Sequence, residues 1–192
     1  MIIGLTGGIG SGKSTVSKIL KSYGFVIIDS DKLSRETVKK GSSALGRLTK
    51  AFGADILTKD GRLNRRALAA KAFSDDKAYK KLVAITQKAI LDLAKEKFQK
   101  NKDKDIVFEV PLLFESGWDK YCDKTISVAA NKAVRLERVC KRDNLDKKSI
   151  EDRMARQLTD KERNAKADIV INNNGSEEDL EKQIVKKLNL KG

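Results

Sequence analysis

The segment Gly7-Gly8-Ile9-Gly10-Ser11-Gly12-Lys13-Ser14 fits the spacing G-x-x-x-x-G-K-[ST], and no other stretch constrains the chain as tightly. Ile2-Ile3-Gly4-Leu5-Thr6 before it is a short apolar run, the mark of a buried strand. Val16, Ile19, Leu20 and Tyr23 behind it recur on one helix face. Strand, glycine loop and helix in that order are the context in which this motif holds phosphate. Glycine lets the backbone take positive φ and approach a phosphate with no Cβ in the way. Successive amides then point inward, and the helix adds the partial positive charge of its N-terminus. Gly8, Gly10, Ser11, Gly12, Lys13, Ser14 and Thr15 are therefore the expected contacts to a nucleoside triphosphate. Lys13 can reach the β- and γ-phosphates, and the Ser14 hydroxyl can ligate Mg²⁺.

At 192 residues the chain is expected to be one domain with an insertion, burying about 70% of the surface its unfolded form exposes. Cys122 and Cys140 are too few for a disulfide framework and fit a reducing compartment. No basic leader with an apolar stretch and no run of membrane-spanning length is seen, so the expectation is a soluble cytoplasmic protein with no membrane partner. Lys and Arg number 41 against 27 acids, a net charge of +14. Such an excess suits nucleic acid, an anionic membrane surface or polyanionic small substrates. The basic residues interleave with acids and no aromatic stacking platform accompanies them, so much of the charge is expected to be solvated helix face and nucleic acid is not the favoured partner. Histidine is absent, which removes Ser-His-Asp and Cys-His nucleophiles and mixed His/Cys zinc sites. Any general base is then Asp, Glu, Lys, Tyr or Cys.

Four further apolar runs, Phe25–Asp29, Ile106–Val110, Thr125–Ala130 and Asp168–Asn172, alternate with helical stretches. Five strands in that pattern predict a parallel sheet with helices on both faces. Asp29-Ser30-Asp31, with Arg35, follows the second strand, where the carboxyl ends of α/β strands line the ligand crevice. Three roles compete for the two aspartates: helix capping, general base, or a water-mediated hold on Mg²⁺. Capping or positioning suits Asp29 and the base role suits Asp31. Residues 41–100 are mostly helical and are expected to cap the crevice; there Arg62, with Arg65 and Arg66, is either a solvated face or a substrate-phosphate contact. Tyr79, Leu82, Val83, Ala89, Ile90, Leu93, Ala94 and Phe98 mark one long amphipathic helix. Glu109 or Glu115 near the end of the third strand resembles a degenerate Walker B acid. Arg135, Arg138 and Arg142 are three and four apart on one helix face, in a charged region that also holds Arg153, Arg156 and Arg163. Arg138 and Arg142 suit a lid over a transferred phosphoryl group, and the plainer reading is a salt-bridged exposed helix pair.

Together these pieces resemble the dephospho-CoA kinase family over nearly the whole chain. The carriers are Gly4 through Ser14, Asp29-Ser30-Asp31 with Arg35, and Val110-Pro111-Leu112-Leu113-Phe114-Glu115. Further carriers are Arg138, Arg142-Asp143, Arg153 to Gln157, and Ala167-Asp168 leading to Asn173 and Gly175. The resemblance implies a P-loop kinase fold that uses ATP and Mg²⁺ to phosphorylate the ribose 3′-hydroxyl of dephospho-CoA. It implies a nucleotide-binding core at 1–40, 101–131 and 167–192, a CoA-binding helical region at 41–100 and a lid at 132–166. By residue, it makes Asp31 the base, Lys13 the phosphate clamp, Arg138 and Arg142 lid groups and Asn173 an adenine-side contact; Asp29, Asp31, Arg35 and Arg62 are the substrate-facing set expected from their places along the chain. The family's usual His-Pro is Gln87-Lys88 here, and a glutamine common before the lid arginines is Arg135. A kinase of another nucleoside or nucleotide, or a nucleotide-dependent nucleic-acid-binding protein, is the alternative. Monomer or weak homo-oligomer is the expected state.

Overall fold

The computed structural model describes residues 1–143, 147–155 and 157–190. Arg156 lies outside the described residues, as does the Arg153 side chain. The chain divides into two compact units, Met1–Ile28 with Asn101–Gly192, and Asp29–Lys100.

The first unit carries a five-stranded sheet. Its strands are β1 (Ile2–Gly7), β2 (Val26–Asp29), β3 (Ile106–Glu109), β4 (Lys124–Ala129) and β5 (Ile169–Asn172), in the order β2-β3-β1-β4-β5. β1 runs parallel to both neighbours, with Leu5 opposite Glu109 on one side and Ile126 on the other. The apolar runs are continuous because helices cover both faces of a parallel sheet. Each strand lies within one or two residues of its sequence-based range, the usual uncertainty of element ends. Between them lie α1 (Lys13–Ser22), α2 (Ser30–Glu36), α3 (Ser43–Phe52), α4 (Arg65–Ala72), α5 (Asp76–Lys100), α6 (Lys132–Asp143), α7 (Lys147–Met154), α8 (Asp160–Lys166) and α9 (Glu177–Leu188). Ile3, Leu5, Ile126, Val128 and Ile171 of the sheet form one core with Val16, Ile19 and Leu20 of α1 and with Leu180 and Ile184 of α9. Burying a side chain of this kind is worth roughly 1.5–3 kcal/mol, so this layer holds β1 and the loop after it rigidly.

One polar contact fixes the start of β5. Asp168 accepts hydrogen bonds from the Thr125 backbone amide and hydroxyl, both at 2.7 Å, and so ties the start of β5 to β4. Those donors hold its carboxyl below the usual carboxylate range. Cys122 sits beneath β1, and burial, reinforced by Asp119 and Asp123, pushes its thiol up to about 12. A thiol so protonated is inert, which makes it a packing residue.

The second unit is mainly helical. α5 packs against α2, α3 and α4. Val38, Leu48, Ile56 and Leu68 form its centre, with Leu82 and Ile85 of α5 packed on it. α2 belongs with these helices by its contacts, so this unit begins at Asp29 rather than near residue 41. Leu33, on its apolar face, is buried. Between Leu57 and Leu63 a single antiparallel bridge closes a tight turn through Gly61.

Candidate active site

The loop from Gly7 to Lys13 connects the buried end of β1 to the first turn of α1. Gly12 is the N-cap residue at φ 93°, a left-handed conformation, and no side chain caps the helix. The first turn closes with Thr15 N on Gly12 O at 3.0 Å. The amides ahead of that bond are the donors a helix start leaves for an anion. Ser14 is exposed at the helix start, and Lys13 folds back so that its Nζ donates to Gly7 O at 2.8 Å. Ser11 Oγ is buried and has no hydrogen-bond partner among the described residues. An orphaned buried hydroxyl inside a cradle of amides fits a phosphate group that completes the site. The residues present therefore suit a nucleoside triphosphate. For Mg²⁺ the fit is narrower: among the described residues no cluster of His, Cys, Asp or Glu could hold a metal by itself. The ion would be shared between Ser14 and the phosphates, where it would neutralise charge on the transferred group.

The loop is also held from outside. Gln157 Oε1 accepts from Ile9 N at 3.1 Å, and Arg135 Nε donates to Ile9 O at 2.8 Å. Arg135 is only 6% exposed; its other bonded nitrogen pairs with Asp160, which also binds Arg163 NH1 at 2.8 Å. Asn173, just after β5, donates its side-chain amide to Ser11 O at 2.8 Å, while Arg138 donates to Asn173 O at 3.0 Å. Of the three arginines expected on one lid face, the structure thus separates the roles. Arg135 is buried against the loop, and Arg138 braces Asn173. Arg142 is exposed and forks onto its neighbour Asp143 at 2.6 and 2.9 Å. That pairing raises the Arg142 pKa further above its ordinary value. Asn173 is buried, and its side-chain amide nitrogen is used on the loop.

The two glutamates resembling a Walker B acid each accept a hydrogen bond within the first unit. Glu109 accepts from Ser17 of α1 at 2.6 Å, and Glu115 accepts from Leu158 N at 3.0 Å. Gln157, Asp160 and Arg163 received no role from the sequence. One signal was available: Thr159-x-x-Glu162 is a capping box, and both of its hydrogen bonds form at the head of α8. It marks the helix that carries Asp160 and Arg163.

In the second unit, Asp29 is the N-cap of α2, accepting from Asp31 N at 2.8 Å and Lys32 N at 3.2 Å. The capping reading of Asp29 is what the geometry displays. Asp31 and Arg35 are exposed on the same short helix. Arg62 is exposed and paired with Asp60 in the turn through Gly61. A cavity of about 340 Å³ lies among Leu48, Leu68, Leu82, Val83 and Ile90, with Arg65 and Thr86 as polar members of its wall. At its rim Phe73, 69% exposed, stacks on Tyr79 with ring centroids 5.5 Å apart. An apolar chamber with an exposed aromatic pair and one arginine suits a long, thin, mostly neutral ligand segment.

A five-stranded sheet in this order, a glycine loop between its central strand and an uncapped helix, and an arginine-bearing arm beside that loop define a P-loop kinase. The dephospho-CoA kinase family model matches residues 1–179. A dephospho-CoA kinase of Fusobacterium nucleatum is 43% identical over 184 residues, covering 96% of this chain and 95% of its own. Among solved structures, a Thermus thermophilus protein, TT1252, superposes with a TM-score of 0.86 at 35% identity, covering 100% of this chain and 98% of its own. A dephospho-CoA kinase from Campylobacter jejuni does so with a TM-score of 0.72 at 29% identity, covering 98% and 95%. The chain belongs to the dephospho-CoA kinase family.

Proposed function

We propose that this chain transfers the γ-phosphoryl group of ATP to the ribose 3′-hydroxyl of dephospho-CoA, releasing ADP and coenzyme A. The observation that carries the reading is the family match over residues 1–179, which includes an intact phosphate cradle. Loop amides and Lys13 hold the β- and γ-phosphates, and Lys13 exchanges Gly7 O for phosphate oxygen when nucleotide enters. Gly8, Gly10, Ser11, Gly12, Ser14 and Thr15 complete the donor side, and Ser14 would hold Mg²⁺, which would supply positive charge there. Asp31 accepts the proton of the acceptor hydroxyl as its oxygen bonds to the γ-phosphorus and the bond to the bridging oxygen of ADP breaks. Asp29 holds the turn that presents Asp31. Arg138 and Arg142, on α6, supply lid charge to the transferred group, with Arg142 leaving Asp143 to do so. Asn173 serves the nucleotide by bracing Ser11.

The second unit takes the acceptor, with Arg35 and Arg62 toward its phosphates and the apolar cavity toward its uncharged arm. In this reading the enzyme works in the cytoplasm as a monomer or weak homo-oligomer. Among the described residues no helix is long and apolar enough to cross a membrane, and both cysteines are free thiols.

Coupled ADP release tests the assignment. Turnover is expected with dephospho-CoA and not with shikimate or nucleoside monophosphates; silence with dephospho-CoA sinks it. Asp31→Asn should lower kcat by about 10²–10⁴ with ATP affinity changed less than about twofold, because a base acts in the transition state. An unchanged kcat returns Asp31 to a purely structural role.

A further inference from the structure

Both backbone hydrogen-bonding groups of one loop residue, Ile9, are taken by side chains of the arm 132–166. Ile9 N donates to Gln157 and Ile9 O accepts from Arg135. The Ile9 side chain packs on Leu136, Val139 and Ile150, the apolar centre of the same arm. Beyond this double attachment the contacts close on themselves. Arg135 pairs with Asp160, Asp160 with Arg163, and Arg163 NH2 donates to Leu158 O at 2.5 Å, one residue from Gln157. Arg163 is 1% exposed, so the ring is anchored in the interior. Glu115 holds Leu158 N at 3.0 Å, which pins the remaining side to the segment after β3.

A phosphate cradle works only if its amides face inward, and a peptide plane turns as a rigid unit. Residue Ile9 has its N–H and C=O both captured by the arm, so neither flanking peptide plane can rotate freely. The amides from Gly10 onward inherit that orientation. We propose that Gln157 and Arg135 are positioning residues: the ring through Ile9, Arg135, Asp160, Arg163 and Gln157 sets the cradle in its phosphate-binding form and ties nucleotide occupancy to the arm. Coupling of this kind is reciprocal. If the arm shapes the cradle, bound nucleotide must stabilise the arm to the same degree. The proposal rests on the loop being the ATP site.

The test is direct binding of a non-hydrolysable ATP analogue by calorimetry, with hydrogen exchange followed in residues 132–143 and 160–166. Gln157→Met removes the acceptor at similar volume and no change in charge. It should raise the analogue's Kd about tenfold, the cost of leaving a partly buried amide without its acceptor, and leave the KM for dephospho-CoA within about twofold. In the native protein the analogue should slow exchange in both segments, and in the variant that protection should fall away. Gln157→Asn keeps the amide but withdraws it by one methylene, so it gives the same split in a better-tolerated form. An unchanged Kd in both variants overturns the proposal. So does an equal shift in the constants for both substrates with the nucleotide-dependent protection intact, the pattern of a merely structural residue. A native protein that binds no ATP analogue breaks the functional assignment instead, so the two failures are distinguishable.

Discussion

A methyl group added at Gly8, Gly10 or Gly12 would run into Arg135, Val139 or Asn173, whereas at Gly41 and Gly46 it would meet nothing within 4 Å. The two compact units use the same residue for different ends. In the first, glycine is demanded by the protein's own side chains, which crowd the phosphate loop from α6 and from the turn after β5. In the second, Gly41 and Gly46 lie in open space, and shape comes from apolar packing around a cavity. The phosphate-loop side is thus a braced polar structure, and the helical unit is held by apolar packing. Hydrogen bonds fix direction, which a phosphate cradle needs; apolar contact fixes only area, which suffices for a flexible organic arm.

Substitutions at contrasting positions can break this comparison. The largest effect is expected from Gly12→Ala. Its φ of 93° strains any residue with a Cβ, and the added carbon collides with the Asn173 amide nitrogen. ATP affinity should fall by about a hundredfold or more, from strain plus the broken Asn173 bond. Near-native calorimetric binding would show that the loop is far less tightly braced than its neighbours imply. Phe73→Ala comes next. The exposed ring leaves the fold little changed, but the KM for dephospho-CoA should rise about three- to tenfold at constant ATP affinity, the worth of one aromatic contact. An unaltered acceptor KM would remove the cavity from the acceptor's path. The smallest effect, and the one of opposite sign, is Gly46→Ala in α3. Alanine there should stabilise the fold by about 0.5–1 kcal/mol, seen as a rise in melting temperature of about 2 °C. A loss of stability would show that the second unit is as crowded as the first.

Much of this molecule was legible in its sequence. The five strands show themselves as apolar runs because both sheet faces are covered, and the long helix α5 shows itself because one stripe is apolar. Asp29 as a cap is a local rule, since its carboxylate reaches amides two and three residues on. The phosphate loop is equally local. What escaped are contacts across long stretches of chain, such as Ile9 with Gln157 and Arg135, or Ser11 with Asn173. Nothing at either end of such a pair marks its partner. The same blindness joined Arg135, Arg138 and Arg142 on one face: their spacing is real, yet burial decides which of them touches the loop, a bracing residue or solvent.

The sequence by itself determined the class of sheet, the phosphate loop, the carboxylates available for proton transfer and the exclusion of histidine chemistry. Each of these depends on residue identity or on periodicity within a few turns of chain. Only the tertiary structure decided why the loop's glycines are glycines. The sequence supplies a reason in the phosphate, but the atoms nearest the missing Cβ positions of Gly8, Gly10 and Gly12 belong to Arg135 and Asn173. Close packing is a property of which surfaces meet, and that is settled only when distant segments fold against one another.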